Sequence, residues 1–310
     1  MKKAIVIPCY RAGDTLLDVL SKIPQDLIDY VIIIDDMCPD NSGQLIKGLN
    51  KDKFIVIFHE KNKGVGGAVI SGYRKALELG CDIIIKLDGD GQMNPVYVSE
   101  LIDPLLKDKA DYVKGNRFND ANVLRVMPKV RLLGNSFLSF VVKFVSGYWD
   151  IMDPTNGYTA IHRKVLEQIN LSRISNDYFF EINMLIELNI INAVVMDVSL
   201  PAQYGNEVSS LKIPNVMIKF PIKMFKGLIK RVFLKYFIYD FNMASVYIVS
   251  GLPILILSFL FGIWQWRDSC LTGIPRSAGT IMLVALPMVI SFQMLLTAIN
   301  IDIFNTPKRN

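Results

Sequence analysis

Two long stretches near the carboxyl end of this 310-residue chain carry no charged residue, and they constrain its fold more than any other feature. The first lies between Asp240 and Arg267, and the second lies between Arg276 and Asp302. Each can cross a bilayer, which takes about 20 apolar residues in a helix. Two helices buried in a soluble core are the alternative, but the stretches are too long to favour it. We therefore expect two membrane-spanning helices, at 242–265 and 277–301.

The charges that flank these stretches predict their orientation. Lys308 and Arg309 follow the second stretch, and a lysine-rich segment precedes the first. In the short loop between them, Arg267 and Arg276 stand beside Asp268. Because cytoplasmic flanks carry the excess of lysine and arginine, we expect both ends of the chain in the cytoplasm and the loop outside. The expected location is the inner (plasma) membrane, crossed twice.

The segment 212–241, directly before the first span, alternates lysines with Phe, Ile, Leu and Met. This pattern is typical of amphipathic helices that lie on lipid headgroups, and a helix packed on a soluble domain is the alternative. The net charge of +5 is concentrated here, so it favours membrane lipids over nucleic acid as partners. The candidate contacts to membrane or lipid phosphate are Lys212, Lys223, Lys226 and Lys230.

Upstream of the membrane segments, short β-branched runs alternate with helical patterns, which is typical of a largely parallel sheet covered by helices. We expect strands at 3–8, 30–34, 54–59, 82–87, 112–114, 159–162 and 193–198. We expect helices at 14–21, 42–49, 67–79, 95–107, 128–146 and 177–188. Asp14 is the candidate N-cap of the first helix. The four cysteines form no CxxC pair, so we expect reduced thiols in a cytoplasmic domain.

An acidic turn, Asp88-Gly89-Asp90-Gly91-Gln92, follows one of these buried strands. Ligands of open α/β folds bind at the carboxyl edge of the sheet, where this turn would lie. Two carboxylates one residue apart can share a divalent cation, and Mg²⁺ usually takes one or two such groups together with substrate phosphates. An ordinary Asp–Gly turn is the alternative, so the turn indicates a metal site only in combination with other residues at that edge.

Two other strands end at the same edge. The first ends in Pro8-Cys9-Tyr10, and the second ends in Asp35-Asp36. An aromatic ring and a carboxylate suit a nucleoside, because Tyr10 can stack on a base and Asp36 can accept hydrogen bonds from the base or the ribose. This edge of the sheet therefore combines groups for a nucleoside with groups for a metal.

Two arginines are candidates for diphosphate binding. Arg117 follows a short strand and a glycine, and Arg131 lies in the helix after it. A guanidinium can form a fork on phosphate oxygens, although each arginine alone is more often a solvated surface group. The segment 62–67, NKGVGG, lacks the ending of a Walker loop. We expect its glycines to let the following helix pack closely.

The order of these motifs along the chain is more specific than any one of them. The motifs are IVIPCYRAGDTL, VIIIDDMCPDNSG, NKGVGGAVISGYRKAL, LDGDGQMNP, GNRF, DPTNGYTAIHRKVL and YFFEINMLIEL. Together they resemble the family 2 glycosyltransferases, which have the GT-A fold. The closer resemblance is to polyprenyl-phosphate glycosyltransferases, the group that includes dolichol-phosphate mannose synthase and bacterial undecaprenyl-phosphate glucosyltransferases. The resemblance implies a GT-A catalytic domain at 1–211, juxtamembrane helices at 212–241, a two-helix membrane domain at 242–303 and a cytoplasmic tail at 304–310.

The resemblance also implies roles for individual residues. The nucleotide-sugar would be bound by Pro8, Tyr10, Asp36, Asp88, Gly89, Gln92, Arg117 and Arg131. Mg²⁺ or Mn²⁺ would be held by Asp88, Asp90 and Gln92, and catalysis would depend on Asp90, Arg117 and Asp153. Asp153 would line the acceptor side, with an Asx turn before Pro154 as its structural alternative. Ala12 stands where many members have an acidic residue, so the resemblance does not identify the nucleobase or the sugar of the donor.

The resemblance implies a lipid phosphate as the acceptor, and the chemistry of a phosphate agrees with it. A lipid phosphate is already ionised near neutral pH, since its second pKa is about 6, and it needs no strong general base. This suits a chain whose two histidines, His59 and His162, lie in segments without obvious catalytic company. We expect metal-dependent, inverting transfer from a UDP- or GDP-hexose to polyprenyl (undecaprenyl) phosphate. A hydroxyl acceptor and a non-catalytic scaffold are the alternatives, and a homo-oligomer is left open.

Overall fold

The structure is a computed structural model that describes residues 1–49, 52–117, 129–201 and 213–309. The chain forms two compact units. The first unit comprises Met1–Arg231 and Pro307–Asn310, and the second comprises Val232–Thr306. The domain boundaries expected from the sequence stay a prediction.

A seven-stranded sheet forms the centre of the first unit. Its strands are β1 (Lys3–Cys9), β2 (Tyr30–Asp35), β3 (Phe54–Phe58), β4 (Ile83–Lys86), β5 (Tyr112–Asn116), β6 (Thr159–His162) and β7 (Val195–Ser199). The strand order is β3-β2-β1-β4-β6-β5-β7. Neighbouring strands are parallel except at β6, which is antiparallel to both β4 and β5. The predicted α/β fold with a mostly parallel sheet is confirmed.

In the described part of the chain, seven helices lie between these strands, and an eighth follows the last strand. They are α1 (Gly13–Ser21), α2 (Ser42–Gly48), α3 (Gly64–Glu78), α4 (Val98–Leu106), α5 (Lys129–Ser146), α6 (Arg163–Leu166), α7 (Phe180–Ile190) and α8 (Ile213–Phe233), with 3₁₀ turns at Pro95–Tyr97 and Leu171–Arg173. The sheet buries Ile5, Ile7, Ile33 and Ile85 completely or almost completely, as expected for β-branched strands covered on both faces.

The prediction that Asp14 caps α1 is wrong. The helix begins at Gly13, its N-cap is Ala12, and Asp14 lies inside the helix. The first amide is satisfied by residues distant in sequence, since Gly13 N donates to Asp40 Oδ2 at 2.8 Å and to Ser42 Oγ at 3.1 Å. Tertiary hydrogen bonds therefore replace a local cap, which a local sequence pattern does not reveal.

The second unit contains a π-helical turn, Leu234–Tyr239, and two long helices, α9 (Met243–Thr272) and α10 (Ala278–Phe304). Both helices are long and apolar enough to cross a membrane. Their apolar side chains are exposed, as at Leu257 (66%) and Val289 (66%), whereas a helix in a soluble core would bury them. The helix α9 extends past the predicted end at 265 and stops before Gly273, whose φ of 68° is typical of a helix C-cap.

Candidate active site

A cavity of 1260 Å³ lies in the first unit, partly at the carboxyl ends of β1, β2 and β4. It contains six of the residues predicted to bind the nucleotide-sugar or the metal, namely Pro8, Tyr10, Asp36, Asp88, Gly89 and Asp90. Parallel pairing explains this convergence, because β1 lies between β2 and β4 and all three strands end at one edge of the sheet.

Asp36 is buried at this edge and firmly oriented. Its Oδ1 lies 2.6 Å from His59 Nδ1 and accepts from Lys63 N at 2.8 Å, and its Oδ2 accepts from Gly64 N at 2.8 Å. The other ring nitrogen of His59 lies 2.9 Å from Ser71 Oγ. Three donors thus fix the carboxylate that was predicted to contact the nucleoside.

The pairing of His59 with Asp36 was missed in the sequence, where His59 had no visible partner. The signal was the register of the sheet. Phe58, the last residue of β3, pairs with Asp35, the last residue of β2. The next residue on each strand must then be a neighbour of the other, which brings His59 to Asp36.

The glycines of the NKGVGG segment allow close packing, as predicted. A Cβ added to Gly64, which has φ of +80°, would lie 2.6 Å from the carbonyl oxygen of Asn176. A Cβ on Gly66 would overlap the carbonyl oxygen of Ser175. The loop before α7 therefore packs directly on the start of α3, and it brings Asp177 and Tyr178 to the wall of the cavity.

The acidic turn offers carboxylates but no complete metal cage. Asp90 Oδ1 accepts a hydrogen bond from Gln92 N at 3.0 Å. The side chain of Gln92 is exposed and does not line the cavity. Among the described residues, no group of three or more His, Cys, Asp or Glu is arranged to hold a metal. Two carboxylates from one turn fit a cation that takes its remaining ligands from substrate phosphates and water.

A buried network of ion pairs contacts this turn through Asp88. Lys86, the last residue of β4, is 2% exposed, and its Nζ lies 2.9 Å from Asp88 Oδ1 and 2.8 Å from Glu181 Oε1. Burial would lower the pKa of Lys86, but the carboxylates of Asp88 and Glu181 outweigh it and hold that pKa above its usual value. Lys114 of β5 is fully buried, lies 3.8 Å from Glu181 Oε2 and has its pKa lowered by burial.

The predicted catalytic residues Arg117 and Asp153 are paired with each other. Arg117 Nε donates to Asp153 Oδ2 at 2.7 Å, and Arg117 Nη2 donates to Asp153 Oδ1 at 3.1 Å. Asp153 is completely buried, and neither residue lines the cavity.

Burial, together with the nearby carboxylate of Asp153, raises the pKa of Asp197 to about 6. Arg131 lies in α5, and its side chain is outside the described part of the structure.

One side of the cavity wall is apolar. It is formed by side chains of α5 and α8, which are Phe137, Leu138, Val141, Phe144, Val145, Phe220, Pro221, Met224, Phe225 and Leu228. Phe137 is 69% exposed and Phe225 is 65% exposed, so the apolar wall is open. We call this wall the apolar groove. The same cavity therefore has a charged end at the sheet and an apolar end between two helices.

The lysines predicted to contact lipid phosphate have different surroundings. Lys223 Nζ forms an ion pair with Asp177 Oδ2 at 2.6 Å, and Lys230 pairs with Glu187. Lys226 is exposed on α8, and Lys212 lies outside the described residues. Arg231, almost fully buried, donates to the carbonyl oxygens of Val145 and Phe144 at the end of α5. These contacts fix α8 beside α5 and so form the apolar groove.

Comparison with known proteins agrees with this geometry. Residues 4–169 match the description Glycosyl transferase family 2. The chain is 32% identical over 236 residues to the UDP-N-acetylglucosamine–dolichyl-phosphate N-acetylglucosaminyltransferase of Methanococcus voltae, covering 70% of this chain and 92% of that protein. It is 29% identical over 188 residues to the polyprenol monophosphomannose synthase of Mycolicibacterium smegmatis, covering 58% of this chain and 69% of that protein.

Solved structures show the same fold. Glucosyl-3-phosphoglycerate synthase from Mycobacterium tuberculosis, in complex with Mn²⁺, UDP and phosphoglyceric acid, superposes with a TM-score of 0.54 at 18% identity. The match covers 74% of this chain and 78% of that chain. The family match spans more than half of the sequence and agrees with the site at the sheet edge. The chain therefore belongs to Glycosyl transferase family 2, and it is a glycosyltransferase with a GT-A-like fold.

Proposed function

We propose that this glycosyltransferase moves one sugar from a nucleotide-sugar to a polyprenyl phosphate at a membrane surface, with inversion at the anomeric carbon. The observation that carries the proposal is a cavity that has both a charged end and an apolar groove. A nucleotide-sugar suits the charged end, and an isoprenoid chain suits the groove. Relatives named for transfer to dolichyl phosphate or synthesis of a polyprenol monophosphate sugar support this acceptor class.

On the donor side, the residues at the ends of β1 and β2 bind the nucleoside. Tyr10 is 49% exposed at the cavity, which leaves its ring available for stacking on a base. The Asp36 carboxylate is fixed by His59 and two backbone amides, so it accepts further hydrogen bonds from a base or a ribose without reorganisation. Transfer from UDP- and GDP-sugars, measured separately, distinguishes the two donor classes.

At the diphosphate, Asp90 and Asp88 would hold Mg²⁺ or Mn²⁺. When bound, the cation neutralises the charge that develops on the departing nucleoside diphosphate. A site with two carboxylates, and without a group of three or more His, Cys, Asp or Glu among the described residues, fits this role. The structural neighbour solved with both Mn²⁺ and UDP supports it.

On the acceptor side, the chemistry needs no strong general base. The oxygen of a phosphate monoester is ionised near neutral pH, as its second pKa is about 6, and it can attack the anomeric carbon directly. Asp153 is held by two bonds from Arg117 and does not line the cavity. These contacts support a positioning role for Asp153 and argue against deprotonation of the acceptor by this carboxylate.

The membrane arrangement follows from the two apolar helices. We place α9 and α10 across the inner membrane and the catalytic unit on its cytoplasmic face. Two spans return the chain to its starting side, which agrees with the packing of the tail in the first unit, where Arg309 pairs with Asp108 and Asp111. Exposed Lys226 is a candidate contact to anionic headgroups, each basic residue near such a surface contributing about 1 kcal/mol.

The test is a transfer assay. Purified protein is incubated with undecaprenyl phosphate, Mn²⁺ and radiolabelled UDP- and GDP-sugars in turn, and labelled lipid is extracted and counted. Label in the lipid fraction with one donor supports the proposal and identifies the nucleotide and the sugar. Label that appears only on a soluble glycan or another hydroxyl acceptor contradicts it and favours a hydroxyl-directed transferase. Absence of transfer from every donor to every acceptor would contradict the proposed donor and acceptor classes.

A further inference from the structure

A buried lysine lies where a metal-dependent site would not be expected to place one. Lys86 is 2% exposed, and its Nζ lies 2.9 Å from Asp88 Oδ1, one of the two carboxylates of the acidic turn. A divalent cation bound to Asp88 would share this carboxylate with an ammonium group. Like charges at such separations repel strongly away from bulk water.

The ammonium group is held in place from its other side. Glu181, in the first turn of α7, lies 2.8 Å from Lys86 Nζ through Oε1 and 3.8 Å from Lys114 Nζ through Oε2. Lys114 also donates to the carbonyl oxygen of Asn156 at 2.6 Å. The two lysines and the two carboxylates of Asp88 and Glu181 balance in charge, so Lys86 is a fixed, fully paired cation within the fold.

The backbone is shaped to accommodate this ammonium group. Gly157 follows Asn156, and a Cβ added to it would overlap Lys86 Nζ and lie 2.8 Å from Asp88 Oδ2. A side chain at this position would require Lys86 and Asp88 to shift away from their present contact.

We propose that Lys86 is a positioning residue that neutralises Asp88 and so limits the affinity of the acidic turn for a divalent cation. The inference rests on the cation site of the proposed function. It adds that the affinity of this site for metal is limited by a lysine of the protein.

The test is Mn²⁺ binding, measured by electron paramagnetic resonance of free Mn²⁺, with and without UDP or GDP and in the absence of lipid. Lys86→Met removes the competing cation, so we expect Mn²⁺ to bind about tenfold more tightly or better. The KM for the nucleotide-sugar should rise at the same time, because Asp88 loses its orientation. Lys143→Met is the control, since Lys143 also carries a positive charge but contacts Met152 Sδ instead of a carboxylate.

Unchanged or weaker Mn²⁺ binding in Lys86→Met, with Lys143→Met also unchanged, would overturn the inference, because it would show that Lys86 does not limit the affinity for the metal. If Lys86→Met does not fold, the double variant Lys86→Met/Glu181→Gln removes both charges of that ion pair. We expect the same increase in affinity for Mn²⁺ in the double variant. Wild-type protein that binds no Mn²⁺ even with a nucleoside diphosphate would refute the proposed cation site and this inference together. Tighter Mn²⁺ binding in a protein that fails to label any lipid would support the inference while the proposed acceptor fails.

Discussion

Phe225 gives the most direct test of the apolar groove as a lipid-binding surface. Its side chain lines the cavity from α8 and is 65% exposed, so truncation removes little that stabilises the fold. A covered phenylalanine buries about 150–250 Å². The 65% that is exposed is then worth ~3 kcal/mol at ~25 cal/mol per Å². An isoprenoid chain covers one side of the ring, so we expect about half of this, which is roughly tenfold in affinity.

Phe225→Ala should therefore raise the KM for polyprenyl phosphate about tenfold and leave the KM for the nucleotide-sugar unchanged. The assay measures transfer of radiolabelled sugar while the lipid is varied at constant detergent. Ile229→Ala is the matched control, because Ile229 lies on the same helix, is 54% exposed and does not line the cavity. No change in Phe225→Ala, or an equal rise in both variants, would refute the reasoning.

Three further predictions concern the charged end of the cavity and its support. Asp90→Asn should lower kcat by about 10²-fold or more, and full activity of the wild type in excess EDTA would contradict the role of Asp90 in metal binding. Asp153→Asn should reduce turnover without abolishing it, and a complete loss with intact folding would indicate a general base. Burial raises the pKa of Asp197 to about 6, so the folded state favours the protonated carboxyl. The stability from this preference is complete below the unfolded pKa of ~3.9 and is lost as the pH rises through about 6. Asp197→Asn should therefore stabilise the protein above pH 6, by at most about 3 kcal/mol, and should have little effect near pH 4. Equal effects at both pH values in denaturant unfolding would contradict this.

The convergence of the acidic turn with the ends of β1 and β2 could be predicted from sequence. Short β-branched runs that alternate with helices dictate parallel strands, and parallel strands end at one edge. This pattern predicts that Tyr10, Asp36 and Asp90 lie close together, and all three line one cavity in the structure. Local sequence patterns are therefore sufficient to predict the fold and most of the residues on the donor side of the cavity.

The supporting contacts could not be predicted in the same way, because they join residues distant in sequence. Lys86 and Glu181 belong to different elements, and no local pattern indicates that a lysine within an apolar strand is paired with a carboxylate of α7. The pairing of Arg117 with Asp153 has the same origin. His59 is the exception, since the register of β2 and β3 would have brought it to Asp36.

The apolar groove also could not be predicted from the sequence. The alternation of lysines with apolar residues before the first span was interpreted as an interfacial pattern. It does not specify what the apolar face of the helix contacts. In the structure, part of that face forms the groove together with α5, and Lys223 and Lys230 pair with acidic residues of the same unit. The groove is formed by packing between two helices that are distant in sequence, which a local pattern does not predict.

The central claim is that the attacking nucleophile is a lipid phosphate, and one comparison tests it most directly. Undecaprenyl phosphate and undecaprenol are offered at equal concentrations with saturating nucleotide-sugar, and the labelled lipid is measured for each. The account predicts transfer to the phosphate and none to the alcohol, because the phosphate oxygen is already ionised near neutral pH, whereas the hydroxyl must first lose its proton. Comparable transfer to undecaprenol would contradict the account.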